Sequence, residues 1–333
     1  MIRDWEGDKV RPRERHRLLL QDILDLDLTD PPRGPRPEHR HDGDQAERLR
    51  AHSAHIVALD TRFGARDHLE QAVRSARSAR RATLIGPTSR DTLAAVAEAQ
   101  QIAGWMAFDA DRHDLAAELT TRALVTARLA GDRSGEHFAL SQLAMQAIHL
   151  RQPGVALGIC DAVLEDDLPP GVRTLFLMRR ARAVNQFGEH TKALDLIAET
   201  LGRHREGHHA RDPAWAWWLD EAEITWHHAM IHADNRRWTR AIPLFEQSAA
   251  ARAPGTRSAH YDHAHLLHAL ARTHAWHDVD ELLHSRIAPL HPRIASPRTT
   301  NLLAHTAHLM TSHRTRTAPR EAAHDLRTVL HPE

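Results

Sequence analysis

"AQQIAGWMAFDADRHDLAAELTTRALVTA", residues 99–127, decides the fold. Apolar residues recur through it at helical spacing, and small residues stand at Gly104, Ala116 and Ala123, offsets of 12 and 7. The same offsets carry Ala144, Ala156 and Val163, then Ala181, Ala193 and Thr200, then Ala229, Ala241 and Ser248. Small side chains at fixed offsets let the two helices of a hairpin approach closely and let the next hairpin dock on them. Breakers fall between the periodic segments, at Gly86-Pro87, Gly131, Pro153-Gly154, Pro169-Pro170-Gly171, Pro213, Pro254-Gly255, Pro292 and Pro297. Period-2 alternation is scarce, so the chain reads as all-α, cut into antiparallel helix pairs.

This pattern resembles the tetratricopeptide repeat, whose unit is about 34 residues. Successive triplets start 40, 37 and 48 residues apart, so loops are inserted. "FGEHTKALDLI" from Phe187 and "RRWTRAIPLFEQS" from Arg236 read as openings of second helices. A fifth unit runs through "LLHALARTHAWHDVDELL" from Leu266, with weakly marked helices before the first unit and after the fifth. The resemblance implies a tetratricopeptide-like helical-hairpin solenoid, a right-handed superhelix over residues 45–331.

Composition narrows the function. The 333 residues are 41% apolar and 26% charged, enough to bury a core. Lys+Arg 44 balance Asp+Glu 44, so no chain-wide positive field recruits nucleic acid or an anionic membrane. Lys9 and Lys192 are the sole lysines, while His is frequent, 29 residues. Cys160, the sole cysteine, excludes an intrachain disulfide and a thiolate metal cage. Residues 1–30 lack the apolar stretch of a signal peptide, and no run of about 18 apolar residues occurs, so a cytoplasmic protein without membrane contact is expected. Nucleophile-elbow, phosphate-loop, dinucleotide and zinc-protease motifs are absent, so neither an enzyme nor a cofactor is expected.

Thr29 to Asp44, "TDPPRGPRPEHRHDGD", holds Pro31, Pro32, Pro35 and Pro37 and no large apolar residue, which makes residues 29–44 a linker. Before it, Trp5, Glu6, Gly7 and Asp8 lead to Pro12, which opens "PRERHRLLLQDIL" with Leu19, Leu20, Ile23 and Leu24 on one face. Residues 1–28 resemble the rear of a Cro/C1-type helix-turn-helix domain, with Gly7 one place early. The resemblance implies that the base-reading part of the recognition helix is missing and that Arg3, Lys9, Arg11 and Arg13 are left to touch phosphates. "LDTRFG" (Leu59–Gly64), "AGWMAFDA" (Ala103–Ala110) and "WLDEAE" (Trp218–Glu223) look like segments of regulators that join such a head to a tetratricopeptide array. Such families imply a transcriptional regulator, a homodimer included. Its groove takes a peptide, small ligand or protein partner, and it binds DNA given a complete N-terminal domain. The alternative is a stand-alone interaction scaffold.

In that register the first helix of each unit lines a concave groove with the residues at −6, −3, +1 and +4 from its first small residue. These include Gln101, Trp105 and Phe108; Ser141 and Met145; Met178, Arg182 and Asn185; and Glu223, Trp226 and Met230. Thioethers and indoles suit an extended or helical peptide, and Arg182 and Asn185 suit its carboxylate or backbone. "PAWAWWLDEAEITW" (213–226) reads as one helix in which Trp218 and Trp226 anchor the long insertion before the fourth unit, a ligand platform being the alternative. His228 and His232 stand four apart, as do Glu223 and His227, with His263 and His265 nearby. Chance spacing in a His-rich chain makes nickel-resin binding expected and a physiological metal not. Cys160 reads as a core residue.

Overall fold

Ser89, Asp132, Asp220, Thr256 and Ser296 each accept a backbone N–H three residues on, and each opens the first helix of a hairpin. The computed structural model describes residues 42–83, 88–207, 209–311 and 317–330, which lie in one compact unit beginning at Asp42. The helix-turn-helix remnant, the linker up to His41, and Arg3, Lys9, Arg11 and Arg13 lie outside the described residues.

Within them, seven hairpins follow one another. They are α1 (Asp42–Phe63) with α2 (Leu69–Ala82), α3 (Arg90–Asp109) with α4 (His113–Ala130), and α5 (Arg133–His149) with α6 (Pro153–Leu164). Next come α7 (Pro170–Gln186) with α8 (His190–Arg205), α9 (Glu221–Asp234) with α10 (Trp238–Ala251), and α11 (Arg257–Thr273) with α12 (Trp276–Leu282). The last is α13 (Pro297–Thr311) with α14 (Thr317–Leu330). No strand occurs among the described residues, and none of their helices is long and apolar enough to cross a membrane. α1, α2, α13 and α14 are the weakly marked helices at either end.

All twelve residues of the four triplets are buried, which is the reason they are small. A Cβ on Gly104 would stand 2.5 Å from the Thr120 Oγ1, so α3 and α4 meet at a separation that glycine permits. The turns joining first to second helices share a device that the spacing does not reveal. Asp111, Arg151, Gly188, Arg236 and His274 all have φ between 57° and 87°. In each turn the following residue donates its N–H five residues back, as Arg112 does to Ala107 O at 2.8 Å and Ala275 to Leu270 O at 3.1 Å. Only one of the five is glycine.

"PAWAWWLDEAEITW" is not one helix. Pro213 opens a short 3-10 turn, Ala214–Trp218, and Asp220 then caps α9 in extended conformation, so the indoles point into different surroundings.

The last hairpins return to the first: α11 touches α1, and α13 touches α3. Ala295 donates its N–H to Phe63 O at 2.7 Å, and Arg66 donates to Ala295 O at 3.0 Å. Between these bonds lies Gly64, at φ +82°, where a Cβ would meet the Ala295 O at 2.8 Å. Charged groups complete the clasp. Arg257 binds Asp60 at 3.2 Å and lies 3.6 Å from Asp109, while Arg298 and Ser296 reach the same Asp109 oxygen at 3.2 and 3.1 Å. Both guanidinium groups lie over aromatic rings, Arg257 4.8 Å from the Trp105 centroid and Arg298 4.0 Å from that of Tyr261.

Candidate functional site

The first helices of the hairpins enclose a cavity of about 1270 Å³. Gln101, Trp105, Phe108, Ser141, Met145, Arg182, Glu223, Trp226 and Met230 line it. Met178 and Asn185 do not. Met178 is fully buried in a cluster with Ile197, Leu219, Ile224 and Ile231, because α9 packs over the −6 and −3 face of α7. Asn185 is turned into the α7–α9 joint, donating to Ile231 O at 3.3 Å and accepting from Asn235 at 2.7 Å. The lining register of α7 is thereby shifted to −2, +1 and +5: Arg179, Arg182 and Gln186.

The aromatic residues divide the work. Trp215 stacks on Phe138 with centroids 4.4 Å apart and planes 4° apart, and its Nε1–H donates to Ser134 at 2.9 Å. Trp215 thus fastens the insertion, together with Trp218, which stacks on Phe138 at 6.4 Å and packs against the cluster around Leu219. Trp226 instead lies in the cavity wall against Tyr261 and His265, with its buried Nε1 lacking a hydrogen-bond partner.

The floor is polar and crowded. Glu223 accepts from Arg252 at 2.8 Å and lies 3.3 Å from the Nε2 of His227. Burial alone would raise the Glu223 carboxyl, but His227, Arg252 and Arg179 hold it well below the usual carboxylate range. Arg252 also binds Asp262 at 3.0 Å, where burial nonetheless pushes the carboxyl up to about 6. His227 has a guanidinium at each ring nitrogen, Arg179 at Nε2, 2.9 Å, and Arg182 at Nδ1, 3.3 Å. Burial and these two cations push its pKa down to about 3, so the ring is neutral near pH 7. Arg182 binds Asp234 at 3.2 Å, an aspartate that Arg151 also holds at 2.8 Å. Arg179, 3% exposed, has no carboxylate within ion-pair reach among the described residues; burial, only partly offset by the field of Glu223, pushes its pKa down to about 10, and Arg182 adds to the fall.

Two clusters of described residues bring three metal-ligating atoms within 4.8 Å of one another: Asp111, His113 and His149 at the cavity, and Asp280, His284 and Asp325 away from it. In the first, the His113 Nε2 already bonds Asp111 at 3.0 Å, and Asn301 donates to the other carboxylate oxygen. Each cluster falls short of the four ligands of a structural zinc site. The His228 and His232 rings lie 5.2 Å apart and belong to neither cluster, while His265 lines the cavity. Cys160 is wholly buried, its thiol pushed up to about 12 by burial, the character of a core residue.

Sequence reasoning missed Arg179 and the clasp, and took His227 only as the partner of Glu223 at metal-ligand spacing. The arginines had a signal: Arg179 and Arg182 stand three apart in a first helix, at −2 and +1 from Ala181, on the side where the other first helices carry lining residues. The clasp pairs residues nearly 190 positions apart, as Ser296 with Asp109 does, which no local pattern encodes.

No family model and no curated protein matches this sequence. Among solved structures, the chain is similar to a Rap protein complexed with competence and sporulation factor, at 12% identity and a TM-score of 0.57 over 98% of this chain and 94% of that one. A kinesin light chain with TPR-like repeats from Podospora anserina aligns at 16% identity and a TM-score of 0.41, over 57% of this chain and 93% of that one. The likeness to the Rap protein is one of fold: the chain is an all-α, tetratricopeptide-like solenoid.

Proposed function

We propose that this chain is the sensor module of a regulator, and that its cavity binds a peptide, small ligand or protein partner. The cavity carries the reading. At about 1270 Å³ it exceeds the roughly 300–1,000 Å³ of ordinary small-molecule pockets. Its wall leaves buried donors on Gln101, Trp226, Arg179 and Arg182 without partners. A region serving only as core would be close-packed with its polar groups satisfied. The Rap protein of similar fold was solved with competence and sporulation factor, which supports a binding role for such a solenoid.

The clasp gives occupancy a route to the rest of the molecule. A ligand shifts the balance between clasped and open solenoid by its differential affinity for the two. With residues 1–28 read as the rear of a helix-turn-helix, that curvature sets the spacing of paired DNA-binding heads. The rival, an interaction scaffold, uses the same cavity and no DNA.

The test is affinity selection of a pool of synthetic octapeptides and of a cell extract on the full chain, with retained molecules identified by mass spectrometry. Retained ligands should lose at least about tenfold in affinity on Trp226→Ala, a hot-spot-sized loss, with the melting temperature held. A cavity that retains nothing from either source defeats the reading. Salt-dependent binding to randomised duplexes separates regulator from scaffold.

A further inference from the structure

We propose that Arg179 and Arg182 form a carboxylate-binding subsite on the cavity floor; the inference rests on the reading of the cavity as a ligand site and specifies its chemistry. The argument is one of donors and acceptors. A neutral imidazole offers a single acceptor nitrogen. The His227 ring nevertheless faces the Nη1 donor of Arg179 at one nitrogen and that of Arg182 at the other, 2.9 and 3.3 Å away. In either tautomer one guanidinium N–H lacks its acceptor, and protonating the ring removes both. The Nε donors of Arg179 and Arg182 are buried and also without partners.

Nearby acids do not relieve the surplus. Glu223 is engaged by Arg252, and Asp234 is shared between Arg182 and Arg151. Arg179 makes an ion pair with neither and feels Glu223 only through the longer-range field that offsets part of its burial, though it is 3% exposed and lines the cavity. A buried guanidinium with unfilled donors is costly, and a planar two-oxygen acceptor meets the fork geometry of two such groups at once. Trp218 and Trp226 lie beside them, 5.9 Å from the Arg179 and 5.7 Å from the Arg182 guanidinium carbons, and give the apolar part of a ligand its contact. The carboxylate comes either from a peptide C-terminus or from an acidic side chain.

Three probes separate these sources: N-acetyl-leucyl-leucine, its C-terminal amide, and N-acetyl-glutamyl-leucinamide. Binding to the full chain is followed by tryptophan fluorescence and by the arginine Nε–Hε resonances. One or both carboxylate probes should bind saturably and at least about tenfold more tightly than the amide, the scale of a charge-assisted, bidentate contact. A preference for the first names a C-terminus, for the third a side chain. Arg179→Met and Arg182→Met should each abolish the preference, and Arg179→Lys should keep part of it. Equal binding of acid and amide, a preference that survives Arg179→Met, or no saturable response to either carboxylate overturns the subsite.

A second readout needs no ligand. Arg179→Met should leave the melting temperature of the free protein unchanged or raise it, because it removes a buried cation that makes no ion pair and that Glu223 offsets only at longer range. A fall of more than about 5 °C, the scale of a lost stabilising contact, makes Arg179 a structural residue and also overturns the subsite. Failure of the octapeptide pool with a positive carboxylate probe strikes the peptide reading alone. Retained peptides that bind equally as acids and amides strike the subsite alone.

Discussion

At the junction of the solenoid ends, Arg257 and Arg298 face Asp60 and Asp109; on the cavity floor, Arg179 and Arg182 face His227. All four guanidinium groups are largely removed from water, and all lie over aromatic rings. At the clasp burial works against the cation, yet Asp60 and Asp109 hold Arg257 above its ordinary value. On the floor, burial and a second cation push Arg179 below its own. The clasp matches two cations with two carboxylates and ties the end hairpins to the first ones, although Asp60 Oδ1, Asp109 Oδ2 and Arg298 Nε are buried there without hydrogen-bond partners. The floor is unbalanced and leaves donors for something else.

The widest breach of that comparison is Asp109→Ala. Asp109 is fully buried and takes Arg298, Arg257 and Ser296 on one oxygen, so its loss strands Arg298 and leaves Arg257 with Asp60 alone. Removing one partner of a buried pair costs about 3–5 kcal/mol, and urea unfolding should show it, with small-angle scattering reporting an opened solenoid. Adding Arg298→Met should recover part of the loss. A variant as stable as wild type means that the clasp contributes nothing.

Gly64→Ala attacks the same joint through backbone alone. The residue sits at φ +82° with its Cβ direction blocked by Ala295 O at 2.8 Å. Strain of about 1–3 kcal/mol is expected, together with earlier opening of the Phe63–Ala295 bonds in hydrogen exchange. Unchanged exchange at Ala295 would place the closure elsewhere.

These two variants also show what the sequence disclosed. The hairpins were legible because Gly104, Ala181 and their counterparts are small for a local reason, helix against helix, and that reason repeats. The first helices were legible as lining because the same register recurs, until α9 covered one face of α7 and took Met178 and Asn185 away. The clasp was hidden, although "LDTRFG" contains Asp60 and Gly64 and "AGWMAFDA" contains Trp105, Phe108 and Asp109. Their partners Arg257, Ala295 and Arg298 lie at the far end of the chain and share no period with them. The left-handed turns at Asp111, Arg151, Arg236 and His274 were hidden too, since residues other than glycine fill them.

Acid should strain the floor more than the clasp. His227 has a folded-state pKa of about 3, depressed by burial and its two arginine neighbours, while the unfolded ring titrates near 6.5. Below pH 6.5 the unfolded chain therefore binds protons that the folded one refuses, and stability falls as pH drops, by about 1.4 kcal/mol per pH unit for each such ring. Asp262, raised to about 6, acts in the opposite sense below pH 6, since its folded form takes up a proton first. His227→Gln should flatten the fall between pH 6.5 and 5 by about one proton's worth, read as the slope of unfolding free energy against pH. An unaltered slope means that His227 is protonated in the folded protein, which would also recast the donor surplus beside it.

The smallest expected effect supplies the scale for the others. Arg50 meets Asp91 at 2.5 Å on the rim of the cavity, shorter than any ion pair in the clasp, yet both side chains are exposed, 42% and 57%. In water the Coulomb gain is screened and offset by the entropy of holding two long side chains, so Arg50→Ala should cost about 0.5 kcal/mol or less. Half-molar salt should erase even that difference, because the Debye length then falls to a few ångströms. The deficit of Asp109→Ala should survive the same salt, since its charges lie behind Trp105 and Tyr261 rather than in solvent. If both deficits vanish together, the clasp is an exposed ion pair in energetic terms, and the contrast between a balanced joint and an unbalanced floor loses its physical basis.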